Sequence, residues 1–376
     1  MPLKPLLVAM LGIAGCLHLA AASATSSIWP ARATAPSAMV ADYRTLSCVK
    51  EPPQPYTGSL QLKSKYDQSD ASKSTLAASP DQGTEEIAKQ VKAFIGGLIY
   101  ATKQFERAKN PQQANMALAC QDQWLETWAK AGALLNRDAS SSGMAARKWA
   151  VAAISSTLLM TEAVADNKLV LSPVQKDWLA RLGELIIEEY QPRHAPGFAY
   201  FNNHDYWSGW AVSATGMLIQ RDDFIRWGDT NLRRGLQQAT LSSAGDYAYL
   251  PLEVARSKLA ATYSQYALVP LVMLAETARS NNLGWSADDQ ARLELLANFA
   301  ARSVLDPKGL PELQGQSQVD VAPYKMAWLI PFLQRSPQHE LARKLYDSLD
   351  GDVDNYSQLG GPLKPLYSTG HTAKDD

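Results

Sequence analysis

One short segment combines side chains that could bind an acidic sugar with one that could transfer a proton. Residues 200–210 read YFNNHDYWSGW and hold two adjacent amides, a histidine and two tryptophans. Amide and imidazole groups can hydrogen-bond a carboxylate, and aromatic faces can hold sugar rings. His204 opens a predicted helix among aromatic residues, which makes it the best histidine candidate for acid–base work. The alternative is a helix start with core aromatics, because aromatic side chains mostly serve packing.

A second group places a guanidinium and a phenol on one predicted helix, over about residues 252–280. Arg256 and Tyr263 are seven residues apart, and Tyr266 follows them. Two helical turns would put Arg256 and Tyr263 on one face, roughly 10 Å apart along the axis. A guanidinium binds a carboxylate with two hydrogen bonds. The alternative is that Arg256 pairs with Glu253 on the helix surface while Tyr263 lies in the core.

A third candidate is a polar segment at residues 61–83, which is nearly free of large aliphatic side chains. Loops of this length are uncommon unless they are functional or disordered. The segment carries Lys63, Lys65 and Lys73 together with Tyr66. Three lysines and a tyrosine on a flexible loop could close over a polyanion, whereas a solvated loop is the ordinary alternative.

Composition and motifs argue against several other classes of protein. The net charge is −1 and no long basic run occurs, which speaks against nucleic-acid binding. The sequence contains no phosphate-binding glycine loop, no Gly-x-Ser-x-Gly motif and no His-Glu-x-x-His motif. No pair of carboxylates has the spacing and context of a glycosidase. His194, in a turn, and His339, at a helix start, are expected on the surface.

The elements that must position these groups are helices. Apolar residues recur at intervals of three and four from Thr84 onwards, whereas strand-like alternation is scarce. About ten helices with short connectors predict an all-α fold of helical hairpins, arranged as a bundle, a solenoid or a closed α/α toroid. The predicted helices after the first cover residues 115–135, 145–164, 172–190, 204–219, 222–238, 252–280, 286–304, 324–333 and 340–349.

The N-terminus predicts export from a bacterial cytoplasm. Lys4 precedes an apolar run at residues 6–15, which is too short to span a bilayer. The small residues ASA at 22–24 predict cleavage before Thr25. In the alternative reading, the sequence IAGC ending at Cys16 is a lipobox that would make an outer-membrane lipoprotein. We expect a periplasmic protein, and exported, aromatic-rich chains of this length favour the toroid.

Cysteine usage agrees with an oxidising compartment. Beyond the leader the chain has Cys48 and Cys120, and a disulfide between them is expected, with two buried free thiols as the alternative. Two cysteines alone do not make a zinc site, and no metal is expected. The predicted organisation is a signal peptide at 1–24, an arm rich in Pro, Ala and Ser at 25–60, the helical domain at 61–367 and a disordered tail at 368–376.

Taken together, these segments resemble the alginate lyases of polysaccharide lyase family 5, exported bacterial enzymes that cleave poly-mannuronate. The resemblance is carried by SKYDQSDASKSTL at 64–76, RKWAVAAISSTLL at 147–159, NNHDYWSGWAV at 202–212, the Arg256 to Tyr263 segment running into YSQYAL, and LGGP at 359–362. It implies an incomplete (α/α) toroid with a deep groove, a lid loop over that groove, and β-elimination without a metal or other cofactor.

The resemblance also implies roles for individual residues. Asn203 and His204 match the family's amide and imidazole, Arg256 matches its carboxylate-neutralising arginine, and Tyr263 matches its catalytic phenol. Cys48 and Cys120 are similar in position to a family disulfide. The residues expected to contact the acidic polysaccharide are the lid residues Lys65, Tyr66 and Lys73, the subsite aromatic Trp149, and Trp207, Trp210 and Tyr266.

The implied reaction removes the C5 proton of a uronate, which is poorly acidic while the carboxylate is charged. Asn203, His204 and Arg256 would neutralise the carboxylate and stabilise the enolate-like intermediate. In mannuronate the C5 proton and the departing 4-oxygen lie on one side, so Tyr263 can act first as base and then as acid. Arg256 is expected to lower the pKa of Tyr263. With the opposite C5 configuration, His204 would be the natural base.

Departures from the family pattern keep other functions open. Leu252 stands where an amide is expected, Lys258 is atypical, and the segment between His204 and Arg256 is a few residues longer. Acetylated alginate, glucuronan or another polyuronide therefore remain candidate substrates. A non-catalytic polyuronide-binding protein of an export complex and a toroid glycoside hydrolase are the alternatives from other classes. Membrane association is expected only if Cys16 is lipidated.

Overall fold

A computed structural model describes residues 25–367; the predicted signal peptide at 1–24 and the predicted tail at 368–376 lie outside the described residues. Within that range the chain is mainly helical, with one small antiparallel sheet. None of the helices in this range is long and apolar enough to cross a membrane. The elements are α1 (Ala35–Ala38), α2 (Gln82–Glu106), α3 (Pro111–Lys130), α4 (Ser141–Val164), α5 (Pro173–Tyr190), α6 (Asn203–Ile219), α7 (Asp222–Gln237), β1 (Thr240–Leu241), β2 (Ala248–Tyr249), α8 (Pro251–Val254), α9 (Ala260–Ser280), α10 (Ala287–Leu305), α11 (Leu329–Arg335), α12 (Glu340–Ser348) and α13 (Lys364–Tyr367).

The long helices form successive hairpins arranged in two layers. Helices α2, α4, α6 and α9 each contact the next one in this series and form the inner layer. Helices α3, α5, α7 and α10 are their hairpin partners on the outside, and α11 and α12 form a shorter final pair. The chain after α12 returns to pack on α2 and α4. This layered order of hairpins is the arrangement expected of the predicted α/α toroid.

The inner helices α4 and α6 are buried on nearly all sides, which explains their composition. Both are rich in Ala, Ser, Thr and Gly and have few charged residues, as a helix surrounded by other helices requires. Gly209 and Gly228 permit the close approach of α6 and α7. A Cβ atom on Gly228 would lie 1.9 Å from the Ser213 hydroxyl, and one on Gly209 would lie 2.9 Å from the Asn231 Cβ.

The predicted helix over residues 252–280 is wrong in one respect, because it is interrupted. Helix α8 ends at Val254, a single 3₁₀ turn covers Ser257–Leu259, and α9 begins only at Ala260. Ser257 has a φ of 54°, in the left-handed region that a right-handed helix cannot contain. Arg256 therefore lies in a sharp bend instead of on a helix face, and its relation to Tyr263 differs from the predicted one.

The N-terminal arm packs against the helical body. Cys48 and Cys120 form the predicted disulfide, with their Cα atoms 4.7 Å apart, which joins the arm to α3. The side chain of Gln123 accepts a hydrogen bond from the Cys48 amide at 2.9 Å. Further upstream, Trp29 is buried edge-on against Trp210, with ring centroids 6.5 Å apart. The arm thus contributes to the hydrophobic core.

Candidate active site

The amino end of α6 is held by an interlocked set of hydrogen bonds. Asn202 is the N-cap, and its Oδ1 accepts from the His204 amide at 3.0 Å. The Asp205 carboxylate accepts from the Asn202 amide at 2.8 Å and from Arg193 at 2.5 and 2.7 Å. Such a capping box satisfies amides that the first helical turn leaves without partners. The backbone that carries Asn203 and His204 is therefore rigid.

A buried carboxylate, Glu253, holds the Asn203 side chain. The backbone amide of Asn203 donates to Oε1 and its Nδ2 donates to Oε2, both at 2.8 Å. Glu253 is only 1% exposed. From the sequence, Glu253 is considered only as a surface partner of Arg256, three residues further along the chain. Nothing in the sequence indicates its contact with Asn203, which is 50 residues away. One Nδ2 hydrogen and Oδ1 of Asn203 remain for a ligand.

Glu253 should make the stability of the protein depend on pH. Burial raises the pKa of Glu253 to about 7, although hydrogen bonds from Asn203 and the charge of Arg256 oppose this. Because the folded-state pKa lies above the ordinary value, the contribution of Glu253 to stability is fully present below the ordinary carboxyl range and is lost as pH rises through about 7. Relative to Glu253→Gln, wild type should lose up to about 3 kcal/mol between pH 4 and pH 8. Urea unfolding of both proteins at each pH measures this difference.

The exposed carboxylate of Glu86 on α2 offers a matched control. Glu86→Gln should leave the pH dependence of unfolding unchanged within the error of the extrapolation. A constant stability difference between wild type and Glu253→Gln across this range would show that Glu253 does not titrate there.

His204 contacts a buried lysine on one side and an aromatic ring on the other. Its Nδ1 lies 2.8 Å from Nζ of Lys148, which is fully buried in α4. The ring of Trp149 lies 5.6 Å from the imidazole, between centroids. The pKa of His204 is lowered well below its ordinary value, first by burial and then by the positive charges of Lys148, Arg193 and Arg256. His204 is therefore neutral in the physiological range.

The bend after α8 places the guanidinium of Arg256 over the ring of Tyr263, the candidate catalytic phenol. The guanidinium carbon lies 3.8 Å from the Tyr263 ring centroid and 5.3 Å from that of Tyr66. A continuous helix would have left the two candidates about two turns apart. Nη2 of Arg256 donates to the Lys73 carbonyl at 2.7 Å, while Nε is buried and makes no hydrogen bond within the described residues. That Nε–H is available to a carboxylate.

The predicted loop at 61–83, of which residues 61–81 precede α2, lies over this pair as a lid. Tyr263 donates its phenolic hydrogen to Oη of Tyr66 at 2.8 Å. Nζ of Lys65 lies 5.1 Å from the Tyr66 ring centroid, and Nζ of Lys73 donates to Gln68 within the loop at 2.7 Å. A saccharide that reaches the Tyr263 hydroxyl must therefore displace the Tyr66 phenol.

The pKa of Tyr263 shifts in the direction opposite to the one predicted. Burial and the hydrogen bond to Tyr66 raise it, and together they outweigh the guanidinium of Arg256, which lowers it. Arg256 thus has the predicted effect without determining the net direction. In this closed arrangement Tyr263 carries its proton.

Trp207 and Trp210 are core residues, and the prediction that they contact the polysaccharide is wrong. Both are fully buried in α6. The Trp207 indole N–H donates to the Tyr266 carbonyl and that of Trp210 to the Ser156 hydroxyl, each at 3.1 Å. On an inner helix every face meets protein, so an aromatic pattern cannot show which ring reaches solvent.

Two other predicted aromatics do lie at the site. The rings of Trp149 and Tyr266 are 6.5 Å apart, and those of Tyr266 and Tyr263 are 6.1 Å apart. Trp149 in turn lies next to the imidazole of His204, so the rings form a continuous row from Tyr263 to His204. The structure thus joins the α6 terminus, the Arg256 bend and the lid into one cluster.

Unpartnered polar atoms concentrate in this cluster. Within residues 25–367, nine buried side-chain polar atoms make no hydrogen bond, and three belong to the cluster: Asn203 Oδ1, Arg256 Nε and Trp149 Nε1. Buried polar atoms in folded proteins nearly always have partners. These two donors and one acceptor are available to a polar ligand with oxygen atoms.

Comparison with known proteins agrees with this geometry. A family model described as alginate lyase matches residues 61–310. An alginate lyase of Pseudomonas putida is 30% identical over 330 residues, covering 86% of this chain and 85% of the relative. One from Cobetia marina is 29% identical over 328 residues, covering 85% and 83%.

Among solved structures, alginate lyase A1-III from Sphingomonas species A1 superimposes with a TM-score of 0.66 at 18% identity, covering 90% of this chain and 92% of that one. A variant of that enzyme complexed with a tetrasaccharide also gives 0.66, at 17% identity, covering 91% and 92%. These matches confirm the all-α toroid and the class, polysaccharide lyases. The chain belongs to the alginate lyase family.

Proposed function

We propose that the protein cleaves β-1,4-linked mannuronate in alginate by β-elimination without a metal, leaving 4,5-unsaturated uronate ends. The observation that carries this proposal is the contact between Arg256 and Tyr263. A guanidinium with an unpartnered Nε lies 3.8 Å over the ring of the phenol. The group that can bind the carboxylate therefore adjoins the group that can remove the proton next to it.

Neutralisation of the carboxylate falls to three groups at the site. Arg256 can donate Nε–H, Asn203 can donate its second Nδ2–H, and His204 can donate from its ring. Asn203 and His204 also lie at the amino end of the 17-residue helix α6, where the helix dipole favours negative charge. When the C5 proton leaves, negative charge moves onto the carboxylate oxygens, and donors already in place stabilise that charge.

Proton transfer falls to Tyr263. The phenolate removes the C5 proton, the C5–H electrons form the C4–C5 double bond, and the bond from C4 to the departing oxygen breaks. Tyr263 then returns the proton to that oxygen, which lies on the same face in mannuronate. Arg256 favours the phenolate, and displacement of Tyr66 by substrate removes a hydrogen bond that opposes it.

The relatives support an acidic polysaccharide as the substrate, since they are alginate lyases, and a variant of A1-III was complexed with a tetrasaccharide. We also propose that the protein acts in the periplasm. The Cys48–Cys120 disulfide supports this location, because such bonds persist in oxidising compartments.

The test is incubation of the purified protein with poly-mannuronate, poly-guluronate and glucuronan, each with and without a chelator. Ultraviolet absorbance follows the conjugated double bond of the product. We expect absorbance to rise with poly-mannuronate and to be insensitive to the chelator. New reducing ends without absorbance would indicate hydrolysis, preference for glucuronan would change the substrate, and binding without cleavage would leave a polyuronide-binding protein.

A further inference from the structure

Lys148 is a buried lysine that the proposed reaction does not use. It lies on the inner helix α4, its side chain is fully buried, and its Nζ is 2.8 Å from Nδ1 of His204. Within residues 25–367 it forms no ion pair closer than 4 Å. Burial lowers the pKa of Lys148 well below its ordinary value, the charge of Asp205 opposes this, and that of Arg193 adds to it. Lysine is rarely buried without an ion-pair partner. Its position therefore needs a reason, and the contact with His204 supplies one.

The surroundings of Lys148 determine which atom donates in this contact. Nζ lies 4.5 Å from the ring centroid of Trp149 and 5.2 Å from that of Tyr190. Aromatic faces attract N–H groups and cations. Three acceptors, two ring faces and Nδ1 of His204, thus surround a group that has three hydrogens when protonated. A neutral amine would instead accept from Nδ1–H and donate its two hydrogens to the rings, so the direction depends on the charge of Lys148. The two ring faces and the charge of Asp205 favour the ammonium, which donates to Nδ1.

We propose that Lys148 is a positioning residue, which donates to Nδ1 of His204 and so keeps the imidazole hydrogen on Nε2. This proposal rests on the proposed function, because it assigns His204 one of two roles in that reaction. With hydrogen on Nε2, His204 can donate to the substrate carboxylate. It cannot accept a proton at Nε2, which is the role that elimination from a guluronate residue would need. Lys148 thus restricts the site to substrates whose C5 proton faces Tyr263, as in mannuronate.

The charges that face His204 maintain this state. Lys148 reaches it from α4, Arg193 from the turn after α5, and Arg256 from the bend after α8; all three lower the pKa of His204. The nearby carboxylate of Asp205 is occupied by Arg193. A second proton on His204 is therefore disfavoured, and the neutral form with hydrogen on Nε2 persists as pH falls.

The wild-type protein tests the tautomer without any substitution. In the full-length protein with ¹⁵N-labelled histidine, long-range ¹H–¹⁵N spectra distinguish protonated from unprotonated ring nitrogens, and His204→Gln assigns the signals. We expect an unprotonated Nδ1 and a protonated Nε2 for His204 from pH 8 down to pH 5. A protonated Nδ1, or a doubly protonated ring near pH 6, would overturn the proposal.

A substitution tests the consequence for catalysis. Lys148→Met keeps length and removes the donor, so the Nδ1 signal should move towards the average of the two tautomers. We expect kcat on poly-mannuronate to fall by roughly 10- to 100-fold, the range seen when the hydrogen-bond partner that orients a metal-ligating histidine is lost. The ratio of poly-guluronate to poly-mannuronate cleavage should rise, because Nε2 is now free for part of the time.

Control variants separate this role from packing. Lys168→Met, on the exposed turn after α4, should change neither the spectrum nor the activity. Lys148→Gln retains N–H donors and should restore part of the tautomer preference. Lower activity of Lys148→Met with an unchanged His204 spectrum and unchanged substrate ratio would mean a purely structural role and would refute the proposal. Absence of poly-mannuronate cleavage by wild type would instead refute the proposed function, whatever the tautomer.

Discussion

Replacing Tyr263 by phenylalanine is expected to lower kcat on poly-mannuronate by about three orders of magnitude or more. General acid–base groups contribute about 10²- to 10⁴-fold each, and the Tyr263 hydroxyl serves in both roles. The ring stays in place, so its contact with Arg256 is retained and KM should change little. Initial rates of absorbance increase at saturating poly-mannuronate measure the effect.

The pH dependence of the wild-type rate is a second test of the role of Tyr263. Burial and Tyr66 raise the pKa of Tyr263, so the phenolate is scarce at neutral pH and the rate should increase as the solution becomes more alkaline. Tyr100→Phe on the exposed face of α2 is the matched control and should keep full activity. Retention of more than about a tenth of the activity by Tyr263→Phe would contradict a base role for the phenol.

The helices could be predicted from the sequence because their signals are local. The segment at 172–190 carries Ser172 before Pro173, and the structure has Ser172 as the N-cap of α5, with Tyr190 as its last residue. Burial of one face imposes the apolar spacing, and the capping residue satisfies the first free amides. Both causes act within a few residues. The same is true of the cap at His339, whose Nδ1 accepts from the Ala342 amide.

Features that depend on contacts between segments distant in the sequence could not be predicted from local patterns. Lys148 and His204 are separated by 56 residues, and Asn203 and Glu253 by 50. Periodicity shows which face of a helix is buried but not which helix covers it. The interruption of the predicted helix at Ser257 likewise could not be predicted, because no proline or glycine marks it in the sequence.

These unpredicted contacts change the chemistry assigned to the predicted residues. The candidate list contained the groups that touch substrate in the proposed reaction, whereas the residues that hold them, Glu253 and Lys148, were missing. The side-chain amide of Asn203 could be flipped, and the imidazole of His204 could carry its hydrogen on either nitrogen. Glu253 fixes the orientation of the amide, and Lys148 selects the tautomer of the imidazole. The direction of the hydrogen bonds that these two side chains offer to a ligand is therefore set by the fold.

Arg256→Lys should lower kcat on poly-mannuronate by about 10²- to 10³-fold, although the positive charge is kept. Loss of a single donor from a site that stabilises an oxyanion has an effect of this size. Lysine lacks the planar fork that stacks on Tyr263 while Nε faces a ligand, so this exchange is not conservative. Arg226→Lys on the exposed face of α7, where the arginine pairs with Asp222, should leave kcat unchanged.

Arg256 has two roles in the proposed reaction, and a second substitution separates them. Because its charge lowers the pKa of Tyr263, Arg256→Gln should move the alkaline rise of the rate to higher pH, and Arg256→Lys should move it less. The fork that binds the carboxylate is lost in both variants, so both should show a low kcat even where the rate no longer depends on pH. If raising the pH restored the wild-type kcat in Arg256→Gln, Arg256 would act on the phenol alone, and neutralisation of the carboxylate would rest with Asn203 and His204.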